Sequence, residues 1–493
     1  MTGAAVSIGS STQLLMFVLV IAVVGGLTWW RTRSGRTASK DEDREFFLAG
    51  GSLTWVYVAG SITITNLGTE QLVGTNGNQM LLLAWWELAA VFGLLILAFV
   101  FVPIYYRYQC VTTTELLERR YNDDRIRTMI STLFMFGYLL ISMPSALYTG
   151  ALFLRTVFGI DVSFVTLGFG IAILGACYGV LGGLRAVAIS ETFSGASLLV
   201  ICLVIVYLAL QAIGFDLSGI PPERLTLIGD SKSPIPWPTL FTGMLFIQIF
   251  YWSTNQAITQ RAMASPSVRE AQKGVLAAAA IRLMIVPAIV VLPGIVAYKL
   301  YGNIHDAAFG RLVGNVLPPW LAGTFAAILV TSVATHFVAI LNSAAALYIC
   351  DIHQKYLNPK VHVKRLNIIV SAVFIAIAIA LIPIYANAVS IINLLQQLNG
   401  LLSMPILSAF IVGLLFRDVD ARAAIAAVIF GILLYAYFTF VYAPFGLHYI
   451  HLMFVTLWTS IGFSLTINRL VFGKRAKLIR FWQRGQEEPA GAI

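Results

Sequence analysis

The sequence contains little charge and little cysteine. Charged residues make up only 11% of its 493 residues, whereas a soluble globular chain carries about 25%. Hydrophobic residues account for 59%, and the mean hydropathy is +0.85. Two of the 4 cysteines, Cys177 and Cys202, lie within apolar runs, and the spacing of the four predicts neither a disulfide framework nor a metal site. This composition excludes a soluble enzyme, a disordered chain and a secreted disulfide-rich protein, and it predicts a polytopic membrane protein.

Apolar runs recur along the chain and are much longer than the strands of a membrane barrel. A spanning helix needs about 20 apolar residues, and only helices or closed barrels satisfy backbone polar groups in lipid. The predicted fold is therefore all-α, with about 13 spans and no room for a soluble domain of useful size. The predicted helices centre on residues 11–30, 53–75, 81–104, 127–156, 160–181, 189–213, 239–256, 272–299, 319–350, 366–385, 388–416, 420–442 and 448–470.

The distribution of Lys and Arg predicts the orientation of these helices. The first apolar run, Leu14 to Trp30, has no basic residue before it and four soon after it, which is the reverse of a signal peptide. With the N-terminus outside, alternation of sides puts 26 of the 32 Lys and Arg residues inside and 5 outside, as the positive-inside rule expects. The C-terminus is then inside, and its basic tail would lie against the anionic lipid of the bilayer. The net charge of +10 therefore requires no nucleic-acid partner.

Two predicted helices carry polar residues at membrane depth. The helix at 53–75 contains a run of small polar, amide and acidic residues, and the helix at 239–256 contains Gln248 followed by an aromatic and amide cluster at 251–256. Two interrupted helices about five spans apart are typical of an inverted-repeat transporter with its site at the breaks. The alternatives are small polar residues packed between helices and an aromatic belt at the membrane interface.

Other polar groups at depth are candidates for the same site. Glu87 follows two tryptophans and either faces the cavity beside Gln71 or lies at headgroup level. The helix at 388–416 carries Gln396 among several amides, and buried amides need partners. Either a polyhydroxylated ligand or neighbouring helices would supply them. Arg282 lies about midway along its span, so a carboxylate or a ligand should meet it.

Two further ionisable residues have two interpretations each, one structural and one functional. His336 lies at membrane depth, where a lone histidine either is a satisfied hydrogen-bonding group or exchanges a proton. Glu191 opens the span at 189–213, where a carboxylate either caps the helix N-terminus or lies on an ion path.

Several segments together resemble the sodium:solute symporter family, and most closely its sodium/sugar cotransporter branch. They read NLGTEQLVG at 66–74, YGVLGGLRAVAISE at 178–191, SPSVREAQKG at 265–274, VVLPG at 290–294 and LNSAAALYICDI at 341–352. The resemblance extends from Phe46 to about Phe416 and implies a multi-pass protein of the cell inner (plasma) membrane with a LeuT-like core of two five-helix inverted repeats.

The resemblance also implies a division of the chain. The two repeats would be residues 53–213 and 239–416, joined by an outer loop at 214–238. One extra helix and a cytoplasmic linker at 1–52 would precede them. Two further helices at 417–472 and a basic cytoplasmic tail at 473–493 would follow.

In sugar transporters of this family, polar groups of several core helices hold the sugar. Tyr251 would stack under the sugar as an inner gate, and Gln248 stands where the branch usually has asparagine. Arg282 lies within about a residue of the usual lysine. The substrate-binding residues that the resemblance implies are Asn66, Gln71, Glu87, Gln248, Tyr251, Trp252, Asn255, Arg282 and Gln396.

The family's sodium site uses carbonyls of the first core helix, here Ile64 and Leu67, and a Ser-Ser pair on the eighth. That pair reads Thr335-His336 here, and an imidazole suits Na⁺ poorly because hard cations prefer oxygen. Either the register differs and Thr331 and Ser332 contribute, or His336 takes a proton in place of the ion. The resemblance also implies that Glu191 replaces the aspartate usual near the inner ion path.

The sequence therefore predicts a secondary active symporter that imports a sugar or similar polyhydroxylated solute with Na⁺ by alternating access. A carboxylate substrate is disfavoured, because Glu87 would repel it unless Arg282 compensates. The alternatives are proton coupling through His336, a non-sugar solute, and, from another class, a substrate sensor or an uncoupled channel. An enzyme is not expected, since the sequence has no phosphate loop, zinc spacing or nucleophile motif. No cofactor is expected besides the coupling ion, Na⁺ or H⁺.

Overall fold

A computed structural model of the chain describes residues 11–33, 51–388 and 390–479, and almost all of this is helix. Several long helices contain a 3₁₀ or π turn, such as the π turn at Tyr138–Ser142. The helices, in chain order, are α1 Ser11–Arg33, α2 Trp55–Thr65, α3 Thr69–Gly77, α4 Leu81–Arg107, α5 Thr113–Tyr121, α6 Asp124–Phe158, α7 Phe164–Ala212, α8 Gly243–Ser253, α9 Gln256–Met263, α10 Val268–Tyr301, α11 Ala308–Val316, α12 Pro319–Leu357, α13 Val363–Tyr385, α14 Ile391–Leu415, α15 Ala421–Phe440 and α16 Tyr449–Leu470.

Within the described ranges, nine helical segments are long and apolar enough to cross a membrane. They are α4, α6, α10, α12 to α16 and the second part of α7, Gly195–Ala212. Shorter apolar stretches occur in α1, in the first part of α7 and in α8. The prediction of a helical polytopic membrane protein agrees with this architecture. The short helices α5 and α11 lie between predicted spans and were not expected.

The two predicted spans at 160–181 and 189–213 fall within the single helical stretch α7, which has 49 residues. At about 1.5 Å per residue, a straight helix of this length would be more than twice the thickness of a bilayer. Its two ends nevertheless lie near the same short helix, α11. Arg155 covers the ring of Phe164 at one end while the neighbouring Thr156 contacts Gly310 of α11, and Ala209 near the other end packs with Leu312. The turn expected between these two spans, at 182–188, does not interrupt the helix, since the backbone there is helical. Because both ends lie near α11, α7 must bend back between them.

Both polar helices are broken where the sequence predicted an interruption. The first stops at Thr65 and resumes at Thr69, with extended backbone at Gly68 (ψ −179°). The second stops at Ser253 and resumes at Gln256. Asn255 begins the resumed helix α9, because its side-chain oxygen accepts the backbone N–H of Ala257 at 2.9 Å, as an N-cap does.

Helix α12 is the buried centre of the bundle. Almost every side chain from Ala322 to Leu347 is buried, and α1, α6, α7 and α13 pack around it. Glycines allow these close approaches: a Cβ atom at Gly175 would lie 2.8 Å from the carbonyl oxygen of Ala334. Helices α15 and α16 pack against α14. Strand β1 Phe416–Arg417, after α14, pairs antiparallel with strand β2 Lys477–Leu478, after α16.

A buried carboxylate fastens one end of the bundle. Asp351, near the end of α12, is fully buried and accepts hydrogen bonds from Thr112 at 3.1 Å, Thr114 at 2.5 Å and Ser131. The guanidinium of Arg127 donates to the same carboxylate at 2.8 Å. Helices α5, α6 and α12 are therefore joined through one charged group that has full hydrogen-bonding partners.

A second carboxylate fastens the opposite end. Asp306, in the turn between α10 and α11, accepts the backbone N–H of Ile391 at 3.0 Å, the first residue of α14. It also lies against the end of α3, since a Cβ atom at Gly77 would be only 2.4 Å from its Oδ1. Burial raises the pKa of the Asp306 carboxyl from its ordinary value of 3.8 to about 6.

This raised pKa predicts a pH-dependent stability. The folded protein binds the Asp306 proton more tightly than the unfolded chain does. The free energy of unfolding therefore falls as the pH rises from about 4 to about 6, and it stays lower above about pH 6. We expect Asp306→Asn, which keeps an acceptor for Ile391, to raise the melting temperature of the detergent-solubilised protein at pH 8 but not at pH 4. The gain is at most about 3 kcal/mol. Glu223→Gln, at an exposed carboxylate between α7 and α8, is the matched control, and a gain of equal size at both pH values would contradict the prediction.

Candidate functional site

A polar cavity lies between the two helix breaks. Its volume is about 140 Å³. Helices α3, α4, α6, α8, α12 and α14 contribute to its wall. Its polar and aromatic lining residues are Asn66, Glu70, Gln71, Trp86, Glu87, Phe134, Tyr138, Ser142, Ser145, Gln248, Phe250, Tyr251, Trp252, Asn255, His336, Gln396 and Asn399.

A buried ion pair forms one side of this cavity. Arg282 is fully buried and pairs with Glu87, which is 1% exposed. Its guanidinium also donates to the carbonyl of Thr63 at 3.0 Å and lies 4.4 Å over the ring of Trp252. Gln71 donates to the same carboxylate at 2.5 Å. The carboxylate that Arg282 was predicted to need is therefore supplied by the protein. Of the two interpretations of Glu87, the structure agrees with the one in which it faces the cavity beside Gln71.

Gln248 and Trp252 form a hydrogen bond with each other. The amide of Gln248 donates to the carbonyl of Trp86 at 2.9 Å, and its oxygen accepts the indole N–H of Trp252 at 2.9 Å. Both side chains are buried. The four-residue spacing on one helix face makes this contact possible. These two residues line the cavity, but the hydrogen bonds of their side chains are made within the protein.

Two tyrosines line the cavity near the helix breaks. Tyr251 donates its hydroxyl to Asn66 at 2.6 Å and so joins α8 to the break after α2. Tyr138 donates to Asn255 at 2.6 Å and accepts the backbone N–H of Ala257. Asn255, expected among the substrate-binding residues, is thus committed to the helix cap as well as to this tyrosine. Phe134 and Phe250 stack beside them, with ring centroids 5.7 Å apart.

Gln396 and Asn399 project from α14 into the cavity. Among the described residues, neither amide has a hydrogen-bond partner, in contrast to Gln248 and Gln71. An amide that lines a polar cavity and has no protein partner is available to a ligand.

Glu70 was not among the predicted substrate-binding or ion-binding residues, although it lies in the cavity wall. It belongs to the first turn of α3, directly after the break. Ser145 donates to its carboxylate at 3.4 Å, and the Nε2 atom of His336 lies 3.7 Å from the same oxygen. The signal that could have found it is its place in the polar run at 66–71 beside Gln71.

The residues expected at the ion site lie beside this contact. Leu67 falls in the helix break and is buried. The Thr335 hydroxyl donates to the carbonyl of Ser332 at 3.0 Å, while the buried Ser332 hydroxyl and the Nδ1 atom of His336 have no partner in the described ranges. Hydroxyl and carbonyl oxygens are ligands that suit Na⁺. The side chains of Ile64 and Glu191 lie outside the described part of the structure. The roles predicted for the Ile64 carbonyl and the Glu191 carboxylate stay predictions.

Two broken helices that face each other across a polar cavity in a helical membrane bundle define a secondary transporter. The family model of the sodium:solute symporter family matches residues 46–431. The chain therefore belongs to this family, and the resemblance found in the sequence is confirmed. The protein is a multi-pass transporter of the plasma membrane.

Similar proteins agree with this assignment. The chain is 34% identical to the "Uncharacterized symporter YidK" of Escherichia coli strain K12, over 93% of this chain and 84% of that protein. It is 29% identical to the sodium/glucose cotransporter of Vibrio parahaemolyticus, over 85% and 83% of the two chains. The fold is similar to that of a substrate-bound, outward-open Na⁺-coupled sialic acid symporter, with a TM-score of 0.79, 17% identity and coverage of 95% and 99%.

The buried ion pair predicts a non-additive pair of substitutions. Either Glu87→Gln or Arg282→Gln alone leaves one charge buried without its partner, which destabilises a protein by about 3–5 kcal/mol. The double variant leaves no unpaired charge, so we expect its melting temperature in detergent to exceed that of both single variants. Arg155→Gln removes a charge from the more exposed pair with Asp161 and should change little. Single variants as stable as the wild type would contradict the prediction.

Proposed function

We propose that the chain is a secondary active symporter that imports a sugar or similar polyhydroxylated solute together with Na⁺ by alternating access. The observation that carries this proposal is the cavity between the two helix breaks, where amides, carboxylates and an aromatic ring converge. Gln71, Glu87 and Gln396 offer donors and acceptors to hydroxyl groups, and the face of Tyr251 offers an apolar surface to a sugar ring. Relatives named for glucose and myo-inositol cotransport support the choice of a polyhydroxylated solute.

The proposed architecture has thirteen crossings, with the N-terminus outside and the C-terminus inside. Residues 53–213 and 239–416 would form two inverted repeats, each beginning with a broken helix. The positions of the breaks, after Thr65 and after Ser253, support this division. Residues 1–52 would precede the repeats, 214–238 would join them, and 417–472 and 473–493 would follow.

The proposed ion site lies where the break between α2 and α3, in the first core helix, approaches α12, the eighth core helix. Carbonyls of Ile64 and Leu67 and the hydroxyls of Ser332 and Thr335 would hold Na⁺, with Glu191 on its inner path. An ion that bridges these helices favours the state that binds substrate, because it binds one of two states more tightly. One charge that moves inward at about 100 mV supplies about 2.3 kcal/mol, enough alone for a gradient of about 40-fold.

A proton is the second candidate for the coupling ion. The contact of His336 with Glu70 at 3.7 Å favours it, since histidine is the side chain that changes charge near neutral pH. A non-sugar solute, a substrate sensor and an uncoupled channel remain the alternative functions, and transport assays separate them.

Uptake into proteoliposomes tests the coupling directly. With D-glucose, D-galactose and myo-inositol as solutes, we expect saturable uptake that requires an inward Na⁺ gradient and disappears when choline replaces Na⁺. A pH gradient without Na⁺ should drive no accumulation. Accumulation driven by that pH gradient would instead support His336 as the coupling site, and flux that does not saturate would support a channel.

Substitution of the cavity amides tests the substrate site. We expect Gln71→Ala and Gln396→Ala each to weaken sugar binding by about 1–3 kcal/mol, the cost of leaving a buried polar group without its partner. This corresponds to about 5- to 150-fold in Kd. Asn387→Ala, at an exposed amide beyond the end of α13, serves as the control. Wild-type affinity in both cavity variants, measured by counterflow, would contradict the proposed site.

A further inference from the structure

The two carboxylates that line the cavity are in different electrostatic situations. Glu87 is neutralised by Arg282, whose guanidinium is further occupied by the carbonyl of Thr63 and the ring of Trp252. This arginine is fully buried, and its charge is used within the protein. Neither the negative charge of Glu87 nor the positive charge of Arg282 is therefore free to select a substrate.

Glu70 has no such compensation. Among the described residues, no Lys or Arg pairs with it, and its contacts are Ser145 at 3.4 Å and the imidazole of His336 at 3.7 Å. Its side chain is 15% exposed, to the cavity that it lines. Its Oε2 lies within 2.6 Å of the Cβ position of Gly68, so the carboxylate folds back over the start of α3. The start of a helix is an electrostatically favourable place for an acidic side chain.

Within the described residues, the lining of the cavity contains no Lys or Arg that would offset Glu70. Glu70 lines the same cavity as Gln71, Glu87 and Gln396, so a solute bound to those residues lies near this carboxylate. Because the surroundings are largely buried, a like charge would be repelled more strongly than in water. A hydroxyl group, by contrast, would donate a hydrogen bond to Glu70.

We propose that Glu70 determines the charge of the solute that this cavity accepts, admitting neutral polyhydroxylated rings and excluding their carboxylate-bearing analogues. The inference rests on the proposed sugar transport and adds a specificity-determining residue to it. It also moves the expected repulsion of an acidic substrate from Glu87, whose charge is paired, to Glu70. The mechanism is selection against the wrong ligand by an unpaired charge.

A matched pair of sugars tests the proposal. D-glucose and D-glucuronate share a ring and differ in that a neutral hydroxymethyl group is replaced by a carboxylate. In proteoliposomes with Na⁺ on both sides, counterflow of labelled D-glucose is measured while each unlabelled compound competes. D-galactose and D-galacturonate form a second pair. We expect the acid to compete at least about tenfold less well than the neutral sugar.

Charge-removing variants assign this ratio to a residue. In Glu70→Gln we expect the ratio between acid and neutral sugar to fall below about threefold, whereas Glu70→Asp, which keeps the charge, retains it. Glu223→Gln removes a carboxylate from the exposed outer loop and should retain the wild-type ratio.

The outcomes separate the two proposals. Equal competition by the acid in the wild type, or an unchanged ratio in Glu70→Gln, overturns the role of Glu70 and leaves sugar transport intact. Absence of Na⁺-dependent counterflow with any neutral sugar overturns the proposed function itself. If Glu70→Gln does not fold, Glu70→Ala replaces it: a lowered ratio supports the proposal, and an unchanged ratio overturns it.

Discussion

The structure depends on the constraint that backbone polar groups cannot be left unpaired in lipid. Helices α2 and α3 are separated at Gly68, and α8 and α9 are separated at Asn255. Such breaks are tolerated at membrane depth only where protein or a water-filled cavity surrounds them. Tyr251 and Tyr138 each reach a break, by hydrogen bonds to Asn66 and Asn255. The cavity and the two interrupted helices therefore require each other.

The same buried environment divides the charges of the site by function. Arg282 holds Glu87 and Gln71 in a fixed arrangement on one side of the cavity. Glu70 lies beside His336, without a permanent cation. A charge that is paired within the protein fixes structure, while a charge that is left unpaired at a cavity acts on whatever enters it. Two carboxylates of one cavity thus have opposite roles because of their neighbours.

The ends of the bundle are fastened by buried carboxylates from distant parts of the chain. Asp351 joins α12 to α5 and α6 through Arg127 and three hydroxyl groups. Asp306 accepts the first backbone N–H of α14, and the N-cap residue Ser390 makes no capping hydrogen bond with its side chain. Helix α14 also carries Gln396 into the cavity. The hydrogen bond between Ile391 and Asp306 therefore links the position of α14 to the turn between α10 and α11.

Local patterns in the sequence determined the class of the protein. Apolar runs predicted the helices, polar residues at depth predicted both breaks, and contiguous motifs such as residues 66–74 identified the family, because each signal lies within a few turns of chain. Tertiary structure alone decided which faces meet. The partner of Arg282 lies 195 residues away at Glu87, and Glu70 meets His336 across α3 and α12. No periodicity encodes such contacts, since they depend on how distant helices pack and on which charge is left without a partner.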